Sequence, residues 1–162
     1  MSNSASIFLM FNSEAEAAAN FYAATFPDSA IGTVIRPQSD VPGTQAGKVQ
    51  LVEMRLCGMP CVLLNAGQDT APNQTFSLQV YTDDQAETDR LWDAIIGSGG
   101  APIMCGWCKD KWGFHWQITP RTLMKALSHP DPAAAARAQA AMLAMTKIDI
   151  AAIEAAVAGD PS

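Results

Sequence analysis

Fifteen residues, Cys105 to Thr119, hold the side chains best suited to chemistry: two of four cysteines, three of four tryptophans and one of two histidines. The stretch reads as a β-hairpin, with Cys105–Lys109 as one strand, a turn over Asp110–Gly113, and Phe114–Thr119 as the other. Alternation puts Phe114, Trp116 and Ile118 on one face and His115, Gln117 and Thr119 on the other. An earlier strand, Phe76–Tyr81, offers Ser77, Gln79 and Tyr81, while Lys48–Leu56 turns Glu53 and Arg55 away from Val52, Met54 and Leu56. If these faces line one pocket, Glu53 and His115 form a base and an acid for proton transfer, and Gln79, Gln117 and Tyr81 orient a ligand. The competing reading is that these groups satisfy one another or face solvent, since no carboxylate is placed to orient His115. Trp107 and Trp112, with Trp116 and Phe114, offer an aromatic wall for a flat, partly apolar ligand, although alternate tryptophans on a strand also serve as core.

The cysteines suggest two further chemistries. Cys57-x-x-x-Cys61 and Cys105-x-x-Cys108 together would supply four thiolates for zinc, but nothing in the sequence brings the two pairs together. Cys105-Gly106-Trp107-Cys108 has the form of a dithiol redox motif. Such motifs draw a low thiol pKa from a helix N-terminus, and a strand is expected here. Small buried packing residues are the better reading.

Both halves of the chain repeat one pattern. Ile7–Phe11 runs into Ser13-Glu14-Ala15-Glu16, and Phe76–Tyr81 runs into Thr82-Asp83-Asp84-Gln85. Each ending fits a capping box, and Ser13 and Thr82 are 69 residues apart (82 − 13). The helices that follow carry Phe21 and Tyr22 in one copy and Leu91 and Trp92 in the other; Pro27 ends the first and Gly97–Gly100 the second. Strands come next: Ala30–Arg36, Lys48–Leu56 and Pro60–Asn65 in the first half, Ala101–Met104 and the hairpin in the second. Gly58 and Gly113 both fall at hairpin turns but only 55 residues apart (113 − 58), so the second copy lacks about the length of the first copy's polar loop. Helices are expected over Pro120–Leu127, Ala133–Met145 and Asp149–Ala158, with Gly159 and Pro161 as the final stop. Ala141, Met142, Met145, Ile148, Ile150 and Ile153 form an apolar stripe that must be covered.

The expected organisation is therefore α+β: two tandem βαβββ modules over residues 1–120 (about 5–66 and 74–120). A helical C-terminal extension, 121–162, would pack on the domain or on a partner subunit. A net charge of −6 with no Lys/Arg run argues against nucleic acid as a partner. No apolar stretch nears the roughly 18 residues of a membrane span, and the start, Met-Ser-Asn-Ser-Ala-Ser, lacks the regions of a signal peptide. A cytoplasmic protein with reduced thiols is expected.

The repeat, with Phe21-Tyr22 in the first helix and Cys-Gly-Trp ahead of Lys-Asp-x-x-Gly-Phe-x-Trp-Gln, resembles the vicinal oxygen chelate superfamily of glyoxalase, bleomycin resistance proteins and extradiol dioxygenases. Within it the chain resembles the PhnB-like branch, which carries the inherited label 3-demethylubiquinone-9 3-methyltransferase; Ala-Met-Thr-Lys-Ile-Asp-Ile-Ala-Ala-Ile-Glu resembles that branch's closing segment. The resemblance implies paired modules curled into a cup, usually in a homodimer. In metal-using members it implies a divalent cation, held by His, Glu or Gln of the first and last strands, that stabilises an oxyanion.

This chain departs from that pattern. Ile7–Phe11 offers no ligand at either parity and Cys61–Leu64 offers only sulfur, leaving Gln79, His115 and Gln117. No metal site and no cofactor are expected. Methyl transfer would need a glycine-rich strand-to-helix turn for S-adenosylmethionine, and Gly97-Ser98-Gly99-Gly100 follows a helix instead. The expected function is binding of a small, partly apolar molecule in the cup. The alternative is a lyase, isomerase or dioxygenase using a divalent metal and an altered ligand set around Gln79, His115, Gln117 and Glu53.

Overall fold

The structure, a computed structural model, describes residues 5–159. The leader expectation on residues 1–4 and the stop assigned to Pro161 lie outside them. The chain forms two compact units, Met1–Ala71 and Pro72–Ser162.

The first unit runs β1 (Ile7–Phe11), α1 (Ala15–Thr25), β2 (Ala30–Ile35), β3 (Leu51–Leu56), β4 (Met59–Asn65). Its sheet has the order β1-β4-β3-β2, with β1 parallel to β4 and the other pairs antiparallel. Register gathers Leu9, Phe11, Val52, Met54, Leu56, Cys61 and Leu63 on one buried face. The alanine-rich helix α1 covers that face with Ala15, Ala18, Ala19 and the fully buried Tyr22, small side chains letting helix and sheet approach closely. On the other face Phe8, Glu53 and Arg55 are exposed.

The second unit repeats the scheme with β5 (Ser77–Thr82), α2 (Gln85–Gly97), β6 (Ala101–Pro102), β7 (Trp107–Lys109) and β8 (His115–Pro120). Its order, β5-β8-β7-β6 with β5 parallel to β8, is the same topology. The fold is thus α+β, built from two four-stranded mixed βαβββ sheets with helices at the C-terminus. The missing loop is visible too: residues 36–50 connect β2 to β3, whereas 103–106 suffice between β6 and β7. In that short link Cys105 and Gly106 both have positive φ (54° and 81°), as do Cys57 and Gly58 (50° and 78°) between β3 and β4. Both are type I′ turns, whose twist matches that of the strands they join.

Helices α3 (Arg121–Leu127), α4 (Pro132–Leu143) and α5 (Ile150–Ala158) complete the second unit. Leu123, Ala126, Ala138, Ile148 and Ile153 form their common core, so most of the stripe is covered within this unit. The link before α5 is strapped down. Met145 and Thr146 carbonyls accept from the Cys105 and Gly106 amides, and the Gln85 side chain brackets Ile148 O and Ile150 N at 3.1 and 2.8 Å. Lys147 adds a 2.7 Å ion pair with Asp89. No helix among the described residues is long and apolar enough to cross a membrane.

Neither expected capping box forms. Glu14 is the N-cap of α1 without a side-chain bond, and Asn65 Oδ1, remote in sequence, accepts from Ala15 N at 2.8 Å instead. Helix α2 starts at Asp84, which accepts from Glu87 N at 2.8 Å; Thr82 is fully buried and spends its hydroxyl on Thr88 at 2.7 Å. The strand expected from Cys105 begins at Trp107, because Cys105 and Gly106 are the turn. Lys48 to Gln50 likewise precede β3.

Candidate functional site

Parallel pairing of β5 with β8 sets Ser77 opposite His115, Gln79 opposite Gln117 and Tyr81 opposite Thr119. Antiparallel pairing with β7 adds Lys109 beside His115 and Trp107 beside Gln117. The face therefore carries rows of Lys109–His115–Ser77, Trp107–Gln117–Gln79 and Thr119–Tyr81, while Leu78, Val80, Cys108, Trp116 and Ile118 fill the core beneath. Gln79, Tyr81 and Lys109 are exposed, and Ser77, Trp107 and Gln117 half-buried, so the face is open.

Most of its polar groups hold one another. Gln79 Nε2 donates to Thr119 Oγ1 at 3.2 Å, Tyr81 OH donates to Gln79 Oε1 at 3.1 Å, and Gln117 Nε2 donates to Ser77 Oγ at 2.8 Å. Arg121 lies over the Tyr81 ring at 5.1 Å while paired with Asp83 at 2.9 Å. His115 is the exception. It is 8% exposed, and its buried Nδ1 has no hydrogen-bond partner among the described residues. A buried ring nitrogen left this way costs about 1–3 kcal/mol.

The aromatic wall is smaller than expected. Trp107 lies on the open face, whereas Trp116 is fully buried in the core with Nε1 donating to Asp110 Oδ2 at 3.0 Å. Trp112 belongs to the turn between β7 and β8, its amide donating to Asp110 at 2.9 Å and Lys111 stacking on its ring at 4.6 Å. Phe114, half-buried, is in the same turn, and its amide also donates to Asp110. Glu53 is exposed on the first unit's open face, opposite Val62, and borders a cleft of about 380 Å³ lined also by Ser6 and Pro60. Two residues went unremarked in the sequence. Lys109 acquires its place beside His115 only through the β7–β8 register, and the buried Asp110 organises the turn.

The thiols are all free. Burial, helped by nearby negative groups (Asp28, the Cys57 thiolate and Asp110 respectively), pushes Cys57 up to about 11 and Cys61 and Cys108 up to about 12. Thiols so raised stay protonated at neutral pH, the opposite of a reactive dithiol. The two pairs belong to different units, and Cys108 is part of the core.

A divalent cation needs three or four converging N/O donors. The second unit's face supplies one imidazole and two amides without a carboxylate, with the Gln79 carbonyl engaged by Tyr81 and the Lys109 side chain beside His115. The first unit's face supplies Glu53 among Phe8, Met10, Val62 and Leu64. Neither face fits such an ion by itself, and no group of three or more His, Cys, Asp or Glu among the described residues is placed to hold one.

Two four-stranded sheets of this connectivity define the class, and comparison with known proteins fixes the family. The chain belongs to the 3-demethylubiquinone-9 3-methyltransferase family, whose model matches residues 3–119. A PhnB protein from Bacillus cereus, described under the same methyltransferase name, is similar at 28% identity and a TM-score of 0.65, covering 73% of this chain and 99% of its own. Protein PA1353 from Pseudomonas aeruginosa shares the fold at 19% identity and a TM-score of 0.58, over 74% of this chain and 98% of its own. A glyoxylase/bleomycin resistance protein/dioxygenase domain from Frankia sp. EAN1pec aligns at 14% identity and a TM-score of 0.49, over 73% of this chain and 96% of its own. No curated protein sequence matches the chain.

Proposed function

We propose that this protein binds a small, partly apolar molecule on the open face of its second unit, without the superfamily's usual metal. The carrying observation is His115, nine-tenths buried with Nδ1 unmatched on a face whose glutamines are otherwise fixed by their neighbours. A ligand that lies against the Trp107 indole and presents a hydrogen-bonding atom to His115 would match both the apolar and the polar parts of the surface. Binding rather than turnover is favoured because the open face around His115 carries no carboxylate to orient the imidazole or share its proton. The methyl transfer named in the family's description is not part of the proposal. Both sheets are mixed and four-stranded, and Gly97–Gly100 closes a helix rather than opening one, so a dinucleotide-type cradle for S-adenosylmethionine has no counterpart among the described residues. Four free thiols suit a reducing compartment, in keeping with a cytoplasmic location.

The test is a ligand-observed NMR screen of small aromatic and amide compounds in the presence of EDTA. Binders of the wild-type protein should weaken at least about tenfold on His115→Ala, the loss of one well-made buried hydrogen bond. Binding that appears only when a divalent metal is added would overturn the metal-free reading. Binding that is indifferent to His115→Ala would move the site elsewhere.

A further inference from the structure

We propose that a second site, a cleft in the first unit, binds a phosphorylated small molecule. The cleft measures about 560 Å³ and is lined by Ser13, Glu16, Arg36, Thr44, Lys48 and Asn65 among others. It lies where the parallel strands β1 and β4 end, at Phe11 and Asn65, the end of a sheet at which α/β proteins commonly hold ligands. Its size falls in the range of small-molecule pockets.

The floor is built rather than incidental. Asn65 is 6% exposed and donates from Nδ2 to Val49 O while its Oδ1 accepts from Ala15 N, both at 2.8 Å. Buried Thr44 donates to Asn65 O at 3.2 Å. Gly43 is pressed so closely on the chain after β4 that a Cβ there would stand 2.2 Å from Ala66 O. The 36–50 loop is also tied to itself, Asp40 Oδ1 accepting from Ala46 N and Pro37 O from Gly47 N, both at 2.9 Å. A loop held at so many points presents Arg36 and Lys48 from fixed backbone.

The charge of the lining points to the ligand. Arg36 and Lys48 against Glu16 leave a net of +1 (2 − 1), in a chain whose net charge is −6. Arg36 meets Glu16 through one contact, Nη2 to Oε1 at 2.9 Å, with the two side chains 45% and 46% exposed. A pair of this kind is weak, and a guanidinium has further N–H groups to offer a phosphoryl oxygen. A dianionic phosphate monoester would draw on both cations and on the Ser13 hydroxyl.

Calorimetric titrations at fixed ionic strength, with chloride as the balancing anion, would use inorganic phosphate, AMP and adenosine. Phosphate and AMP should saturate the protein and adenosine should not, with amide shifts centred on Thr44, Gln45 and Lys48. The Arg36→Gln/Lys48→Gln double variant should weaken AMP at least about tenfold, as expected for lost charge-assisted bonds. Glu16→Gln removes the competing carboxylate and should tighten AMP about threefold. All these positions are on or near the surface, so unchanged circular dichroism should accompany each variant. The proposal fails if phosphate gives no saturable signal above chloride, if adenosine binds as well as AMP, or if the double variant binds like wild type.

Discussion

A carboxylate with 2% exposure would normally destabilise a fold, yet Asp110 sits at the tip of the β7–β8 hairpin with three donors aimed at it. Oδ1 accepts from the Trp112 and Phe114 amides at 2.9 and 3.0 Å, and Oδ2 from Trp116 Nε1 at 3.0 Å. Asp110→Ala would strand these donors and should cost about 3 kcal/mol in urea denaturation; a cost below about 1 kcal/mol would contradict the role given to Asp110. The buried thiols make a second prediction. Burial raises Cys61 and Cys108 from 9.0 to about 12, so as pH climbs the unfolded chain loses these protons before the folded one does. Their contribution to stability is therefore full below pH 9 and is lost between pH 9 and about 12; a Cys61→Val/Cys108→Val protein should show a shallower fall over that window. Equal slopes in the two proteins would remove burial as the cause.

At the scale of elements, the alternation of Phe114–Thr119 and the repeat of strand, helix and strands were legible, because both follow from periods that sequence displays directly. Helix starts were not. Ser13 and Thr82 have the right spacing, but Asn65, brought in by the sheet, serves Ala15, and Thr82 is drawn into the core to meet Thr88. The turn at Cys105 is not legible either, because a φ of 54° is rare for a residue with a Cβ. That turn carries a sharp test. A Cβ on Gly106 would meet Ile118 O at 2.8 Å and Ile148 Cγ1 at 3.0 Å, besides forcing an alanine to φ +81°. Gly106→Ala should lower stability by about 2 kcal/mol or more and loosen the 145–150 strap, read as faster amide exchange at Ile150. At the other type I′ turn, Cys57→Asn supplies the residue best suited to φ 50° before Gly58 and should raise stability by about 0.5–1 kcal/mol. A lower melting temperature for Cys57→Asn would contradict the turn assignment.

Across the whole molecule, the doubled βαβββ pattern emerges because each half closes its own sheet over its own helix, so the repeat in sequence is a repeat in packing. The candidate face was half legible. Which side chains of β5 and β8 share a face follows from parity, whereas the pairing that sets Lys109 beside His115, and the loop that places Arg36 and Lys48 around one cleft, depend on contacts remote in sequence. The tail's attachment depends on such contacts as well. Lys147 holds Asp89 below its ordinary 3.8, and Asp89 holds Lys147 above its ordinary 10.5. The pair's contribution is therefore present between those values; it fades as pH falls through the lowered Asp89 value or rises through the raised Lys147 value. With both side chains more than a third exposed, Lys147→Met should cost only about 0.5 kcal/mol at pH 7, and less as acid protonates Asp89. A cost unchanged at pH 2 would show that Lys147 acts through packing.

The central claim is that His115 awaits a ligand, and the histidine side chains can report it alone. The chain has two imidazoles, and the other, His129, already accepts from the Asp131 amide at 3.1 Å. Long-range ¹⁵N–¹H spectra of the wild-type protein, titrated with the best compound from the screen, would follow both rings. The ring nitrogens of His115 should shift as the compound saturates while those of His129 stay still. A His115 ring that does not respond at saturation would contradict the account.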